Sequence, residues 1–260
     1  MTILDELAEF AHRRVNSAKE KISLDEIKSK SEALPKDNFE FEKSLKKSDI
    51  AFICECKKAS PSKGLIAPDF PYLEIAKDYE SAGADCISVL TEPSRFLGND
   101  DYLKQIAQTV SIPCLRKDFT VDEYMIYEAK ILGAKSVLLI CSILDKTQIK
   151  DYIKICDTLG ISALVEAHDE NEVKIAINAG ARIIGINNRN LKDFTVDTEN
   201  SKRMRELVPH NIIFVSESGV KSADDVKLLR EIGADAVLIG ETLMRAENKK
   251  EKLSELRGAL

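Results

Sequence analysis

Hydrophobic positions recur along the chain in one phrase, met four times: a small or apolar residue, Gly-Ala, a polar residue, then an apolar run. It reads Ala82-Gly83-Ala84-Asp85-Cys86-Ile87-Ser88-Val89-Leu90, Leu132-Gly133-Ala134-Lys135-Ser136-Val137-Leu138-Leu139-Ile140, Ala179-Gly180-Ala181-Arg182-Ile183-Ile184-Gly185-Ile186-Asn187 and Ile232-Gly233-Ala234-Asp235-Ala236-Val237-Leu238-Ile239-Gly240. The four glycines stand 50, 47 and 53 residues apart. Each phrase predicts a helix closed by a glycine cap and followed at once by a strand buried on both faces. Between the phrases lie the shorter runs Ile112-Pro113-Cys114-Leu115, Ile161-Ser162-Ala163-Leu164-Val165 and Ile212-Ile213-Phe214-Val215, and Ile50-Ala51-Phe52-Ile53-Cys54 precedes them all. Eight strands are predicted.

The intervening stretches carry helical spacing, as in Tyr72, Ile75, Ala76 and Tyr79, or Val226 and Leu229 behind a capping-box start at Ser222 and Asp225. Strand and helix therefore alternate eight times over about 210 residues, the size of a (β/α)8 barrel. An open doubly wound sheet is the competing α/β architecture, and the near-constant spacing favours the closed, pseudo-symmetric TIM barrel. Residues 1–48 fall outside the repeat and are rich in Lys and Glu, with apolar spacing at Ile3, Leu4, Leu7, Phe10 and Ala11. They predict an N-terminal helical extension packed on the barrel, with 49–260 as the single catalytic domain. The pattern leaves open whether the extension only packs or also covers one barrel mouth.

Composition narrows the function classes. Of 260 residues, 38 are Lys or Arg and 44 Asp or Glu, and a net charge of −6 argues against a nucleic-acid partner. With 44% hydrophobic and 32% charged residues, the chain can bury a large core. No run reaches the ~18 apolar residues of a membrane span, and acids stand at the N-terminus where a secretory signal is basic, so a soluble cytoplasmic protein is expected. Cys54, Cys56, Cys86, Cys114, Cys141 and Cys156 sit mostly in apolar runs without C-x-x-C spacing, as buried free thiols do. Only His12, His168 and His210 are present, far apart in sequence, which argues against a histidine metal site and a Ser-His-Asp hydrolase.

Active sites of such barrels lie at the carboxyl ends of the strands. The first strand ends in Glu55-Cys56-Lys57, and alternation places Glu55 and Lys57 on the face opposite Cys54 and Cys56. The third ends in Arg116-Lys117-Asp118, the fifth in Glu166, the sixth in Asn187-Asn188-Arg189 and the seventh in Ser216-Glu217-Ser218-Gly219. Two lysines, three glutamates, an asparagine and an arginine thus converge on one rim. In so crowded a lumen a lysine beside another cation loses its proton more readily and a desolvated glutamate keeps its own, the setting for acid/base chemistry near neutral pH. The glycine turns at Gly219 and at Gly240-Glu241 open the segments after strands seven and eight, the common phosphate site of the fold, where backbone N–H groups accept an anion. Glu241 suits such a site only if its side chain points away. The polar loop Glu55–Gly64 is too long for a plain connector.

Taken together, ECKKASPSKG (55–64), LRKDF (115–119), LLICSIL (138–144), LVEAHDENE (164–172), GINNRNL (185–191), VSESGV (215–220) and LIGETLM (238–244), in that order, resemble the indole-3-glycerol phosphate synthase family, the barrel of the tryptophan pathway. The resemblance covers nearly the whole chain, the helical N-terminal segment included. It implies a phosphosugar substrate, 1-(2-carboxyphenylamino)-1-deoxyribulose 5-phosphate, and its ring closure, decarboxylation and dehydration to indole-3-glycerol phosphate without metal or cofactor. It further implies Lys117 as the general acid on the ketone oxygen and Glu166 as the acid/base of the dehydration. Lys57 matches the family lysine that pairs with the substrate carboxylate, with Glu55 its neighbour. Asn187, Arg189, Glu217 and Ser218 match the ring that orients substrate, and Ser60, Gly219, Gly240 and Glu241 the phosphate-binding positions, the last through its backbone. Phe96-Leu97-Gly98-Asn99-Asp100 departs from the family's more usual Phe-Phe-x-Gly-Ser at the second loop.

Fusion to the next pathway isomerase occurs in that family, but the chain ends soon after its eighth strand and closing helix, and no second barrel is expected. No nucleic acid or membrane partner is expected, and the oligomeric state is left open. The residues alone also admit another phosphosugar barrel, an isomerase or a Schiff-base aldolase with Lys117 or Lys57 as nucleophile, or a barrel that binds phosphate without turnover.

Overall fold

The four Gly-Ala phrases fold as helix, turn and strand. Gly83, Gly133, Gly180 and Gly233 all take left-handed backbone, with φ of 86°, 92°, 91° and 76°, the conformation in which a side chain would clash and in which the chain leaves a helix directly for a strand. The computed structural model describes residues 2–190 and 193–258; Met1, Leu191, Lys192, Ala259 and Leu260 lie outside the described residues, and with them the last residue of the GINNRNL motif.

The strands are β1 (Ala51–Cys56), β2 (Cys86–Leu90), β3 (Cys114–Lys117), β4 (Ser136–Ile140), β5 (Ser162–Ala167), β6 (Ile183–Asn187), β7 (Ile213–Glu217) and β8 (Ala236–Ile239). They pair in parallel in chain order and close on themselves, Ile53 of β1 standing level with Cys86 of β2 and with Leu238 of β8. This is the predicted (β/α)8 barrel. The helices are α1 (Ile3–Lys21), α2 (Leu24–Glu32), α3 (Glu40–Leu45), α4 (Tyr72–Ser81), α5 (Asp100–Thr109), α6 (Tyr124–Ile131), α7 (Lys146–Leu159), α8 (Glu170–Ala179), α9 (Glu199–Arg205), α10 (Ala223–Glu231), α11 (Glu241–Met244) and α12 (Lys249–Arg257). The capping box read at Ser222 and Asp225 opens α10. All six cysteines are buried free thiols, and burial raises the thiol pKa of each. No helix among the described residues is long and apolar enough to cross a membrane.

The first 48 residues reach both ends of the barrel. At the carboxyl rim α1 is tied down by polar contacts: the two Arg14 Nη atoms donate to the two oxygens of Asp118 at 3.0 and 2.7 Å, Lys19 meets Asp122 at 2.7 Å and Glu6 meets Arg95 at 2.5 Å. At the opposite end the N–H of Glu42 in α3 donates to Ser162 Oγ at the start of β5 (3.3 Å), and its carboxylate takes Arg182 Nε at 2.8 Å. Between them the chain crosses the end of α7, where Asp37 and Phe39 donate their N–H groups to the carbonyls of Leu159 and Gly160. The loop after β1 is a short hairpin, Ala59–Ser60 paired antiparallel with Gly64–Leu65, rather than an open excursion.

Candidate active site

Alternation along β1, β3, β5, β6 and β7 points every second residue into the lumen, and at the carboxyl ends these positions are polar. They surround a cavity of about 560 Å³ walled by Glu55, Lys57, Lys117, Glu166, Asn187 and Glu217. The remaining residues matched to substrate or phosphate positions, Ser60, Arg189, Ser218, Gly219, Gly240 and Glu241, also line it. From α1, Ile3, Leu4 and Leu7 close the cavity on one side, with Phe96 and Phe119 nearby. The wall thus joins a charged floor to an apolar roof.

Lys117 Nζ donates to Glu166 Oε2 at 3.2 Å and lies 3.6 Å from Glu217 Oε2, while Lys57 Nζ sits 2.6 Å from Glu55 Oε1. Asn187 hydrogen-bonds Glu166, and its Oδ1 accepts the N–H of Arg189 and the hydroxyl of Ser218, both at 3.0 Å. Two glycines make room for this packing. A Cβ at Gly185 would lie 2.1 Å from Glu217 Oε1, and one at Gly240 would lie 2.3 Å from Glu55 Oε1 and 2.8 Å from Lys57 Nζ. Sequence reading had assigned Gly240 to phosphate, and its lack of a side chain also serves the Glu55–Lys57 pair.

Three carboxyls crowd the lumen around Lys117 and Lys57, and they differ in which form burial and neighbours favour. Burial, reinforced by the neighbouring Glu166 and Glu55 and only partly opposed by Lys117, pushes the Glu217 carboxyl up to about 8. Glu166 is equally buried, but Lys117, His168 and Asn187 outweigh that burial and hold it below the usual carboxylate range. For Lys117, burial favours the neutral amine, yet Glu166, Glu217 and Glu55 prevail and raise its pKa above that of a free lysine. The expected easy loss of a lysine proton therefore fails at Lys117, because its nearest neighbours are carboxylates and not the second lysine. The expected proton-retaining glutamate is present and is Glu217.

Around the phosphate-type turns, Ser218 and Gly219 both take positive φ (67° and 99°), and Gly240 leads into α11. The Glu241 carboxylate is engaged by two cations, 3.2 Å from Arg245 Nε and 3.6 Å from Lys63 Nζ. Lys63 and Arg245 are cavity-wall cations that the sequence reading missed; it also missed His168, which does not line the cavity but whose ring lies 3.4 Å from Glu166 Oε1. His168 stands two residues after Glu166, just past the end of β5, inside the LVEAHDENE motif.

A family model for indole-3-glycerol phosphate synthase matches residues 4–256. A protein of that name from Ruminiclostridium cellulolyticum is 60% identical over 258 residues, covering 99% of both chains. One from Lachnoclostridium phytofermentans is 48% identical over 270 aligned residues, covering 99% of this chain and all of its own. Among solved structures, 3-hexulose-6-phosphate synthase from Salmonella typhimurium superimposes with a TM-score of 0.67 at 15% identity, over 81% of this chain and 98% of that one. KGPDC from Streptococcus mutans gives 0.64 at 11% identity, over 81% and 97%. At such identities the structural matches speak for the barrel alone.

Proposed function

Given that the chain belongs to the indole-3-glycerol phosphate synthase family, we propose a division of its reaction among the lumen residues. The enzyme is a carboxy-lyase of tryptophan biosynthesis: it closes the ring of 1-(2-carboxyphenylamino)-1-deoxyribulose 5-phosphate and expels CO2 and water to give indole-3-glycerol phosphate. In the first step the aryl carbon bearing the carboxylate attacks the ketone carbon, and Lys117 delivers a proton to the oxygen that becomes the hydroxyl. CO2 then leaves, its bonding pair restoring the aromatic ring. In the last step the hydroxyl departs as water with a proton, and the new ring loses one, with Glu166 as the acid/base.

The observation that carries this reading is the ammonium of Lys117, held between Glu166 and Glu217 on the cavity floor. An ammonium held by two carboxyls is a proton donor and not a free amine nucleophile, which disfavours the Schiff-base alternative. Lys57, beside Glu55, receives the substrate carboxylate. Asn187, Arg189, Ser218 and the protonated Glu217 orient the ring and the sugar hydroxyls by hydrogen bonding. Ser60, Gly219, Gly240 and the backbone of Glu241 take the phosphate, with support from Lys63 and Arg245. Residues 49–260 form the catalytic unit and residues 1–48 its extension, whose apolar α1 face covers the aromatic part of the substrate. The substrate is a small phosphosugar and no nucleic acid or membrane is required. The six buried thiols support a reducing cytoplasmic setting.

The test follows indole fluorescence from purified protein and the carboxyphenylamino substrate. Lys117→Ala is expected to lower kcat by roughly 10³-fold while the protein stays folded. A loss of less than about tenfold would remove Lys117 from the acid role.

A further inference from the structure

Directly behind Glu166, outside the cavity wall, stands a second set of titratable groups. His168 follows the end of β5, with Nε2 3.4 Å from Glu166 Oε1 and Nδ1 3.0 Å from Glu172 Oε2 on α8. The same Glu172 oxygen accepts the His168 backbone N–H at 2.8 Å, and the other accepts Ser142 Oγ at 2.6 Å. Ser142 Oγ also lies 3.3 Å from His168 Nδ1, and Asn200 Nδ2 on α9 donates to the His168 carbonyl at 3.1 Å. The imidazole is thus held at Nδ1 and by its own backbone, while Nε2 is buried without a hydrogen-bond partner and faces Glu166 Oε1. Ser142 is exposed, and the side chains of His168 and Glu172 keep 18% and 16% of their surface in solvent. A file of polar groups runs from solvent at Ser142 and Glu172 through His168 and Glu166 to Lys117.

The chemistry needs such a file. The carboxylate leaves as neutral CO2, so each turnover consumes one proton: two are given, to the ketone oxygen and to the departing hydroxyl, and one is recovered from the new ring. The lumen must therefore be recharged from outside. On the cavity side the way in is occupied by substrate and roofed by α1.

We propose that His168 is a positioning residue and proton relay that acts through Glu166, holding Glu166 Oε1 in place and returning to it, from solvent on the Glu172–Ser142 side, the proton consumed in each turnover. The imidazolium passes its Nε2 proton to Glu166 Oε1, the N–H electron pair stays on the ring, and solvent reprotonates the neutral imidazole. This rests on the acid/base reading of Glu166. Burial by itself disfavours the charged ring, but the hydrogen bond from Glu172 and the charges of Glu166, Glu172 and Glu217 outweigh it and raise the His168 pKa. The groups facing it are Glu166 on β5, Glu217 on β7, Glu172 on α8 and the hydroxyl of Ser142 after β4, with Lys117 of β3 beyond Glu166. The nearby Cys141 thiol, pushed up to about 12 by burial, stays neutral and takes no part.

The experiment measures kcat and KM against pH for the full chain, for His168→Gln, Glu172→Gln and Glu166→Gln, with and without imidazole in the buffer. His168→Gln is expected to lower kcat about tenfold, to leave KM within roughly twofold because the ring does not line the cavity, and to recover with rising imidazole. Glu172→Gln keeps the ring but removes the anion that stabilises its charge. The alkaline limb of kcat is then expected to move to lower pH, and this variant carries the test should His168→Gln fail to fold. Parental kcat and pH profile in a folded His168→Gln, or a uniform loss at every pH that imidazole does not relieve, would overturn the proposal. Parental activity in Glu166→Gln would instead overturn the role given to Glu166. An inactive Glu166→Gln beside a parental His168→Gln would sink the relay alone.

Discussion

Neighbouring positions at the end of β3 serve two buried charge clusters of opposite character. Arg116 and Asp118 belong to one in which nearly every donor and acceptor is paired, Arg14 Nε excepted. Arg116 donates from Nη1 to the Met125 carbonyl and from Nε to Thr91, and its Nη2 meets Asp100 at 2.7 Å and Glu128 at 2.8 Å. Asp118 accepts two bonds from Arg14, one from Thr91 at 2.6 Å and the N–H of Phe119 at 2.8 Å. Lys117 between them faces the lumen, where Glu217 Oε1 is buried without a hydrogen-bond partner and one carboxyl must keep its proton. Saturation rigidifies the strand end and ties it to α1, whereas incompleteness leaves donors and acceptors for a substrate and protons that can move.

The contrast can be broken on its saturated side first. Asp118→Ala leaves Arg14 facing a buried site without its anion and deprives Arg116 of a nearby negative charge, and the expected cost is about 3–5 kcal/mol in urea unfolding. A smaller effect is expected from Gly240→Ala on the unsaturated side. The added methyl overlaps Glu55 Oε1 and Lys57 Nζ, so the pair must shift and kcat/KM should fall roughly 10- to 100-fold with modest change in stability.

A further effect concerns pH. Glu217 has its folded pKa raised from an ordinary 4.5 to about 8, so folding favours its protonated form. The associated stability is complete below the unfolded value and is lost as pH rises through about 8. The urea midpoint of the parent should therefore decline across that range, and Glu217→Gln, which cannot ionise, should flatten the decline. Equal slopes in the two proteins would show that the lumen carries no such proton.

Much of this architecture was legible in one dimension. The Gly-Ala phrases specify where helices end, because left-handed backbone selects glycine locally, and the apolar runs after them specify buried strands, because period and hydrophobicity are local properties. Glu55, Lys57, Lys117, Glu166, Asn187 and Glu217 were found by the same route, since a polar residue at the carboxyl end of a buried strand has few places to point other than the lumen. The environment of each was not legible. Lys117 was read only as one of two lysines on a crowded rim, and the barrel put it between two carboxyls. Arg14 and Asp118, 104 residues apart, carry no mutual signal in the sequence. Nor was the close approach of Gly98 to the Leu90 carbonyl legible, where a Cβ would lie 2.4 Å away.

The sequence by itself determined the succession of elements, the lumen-facing register and the chemical types gathered at one rim, because backbone propensity and side-chain alternation act over a few residues. Only the tertiary structure decided which carboxyl keeps a proton, that α1 roofs the cavity, and that His168 stands behind Glu166. Those outcomes depend on distances between groups far apart in the chain, and at low effective dielectric a displacement of an ångström or two changes which charge prevails.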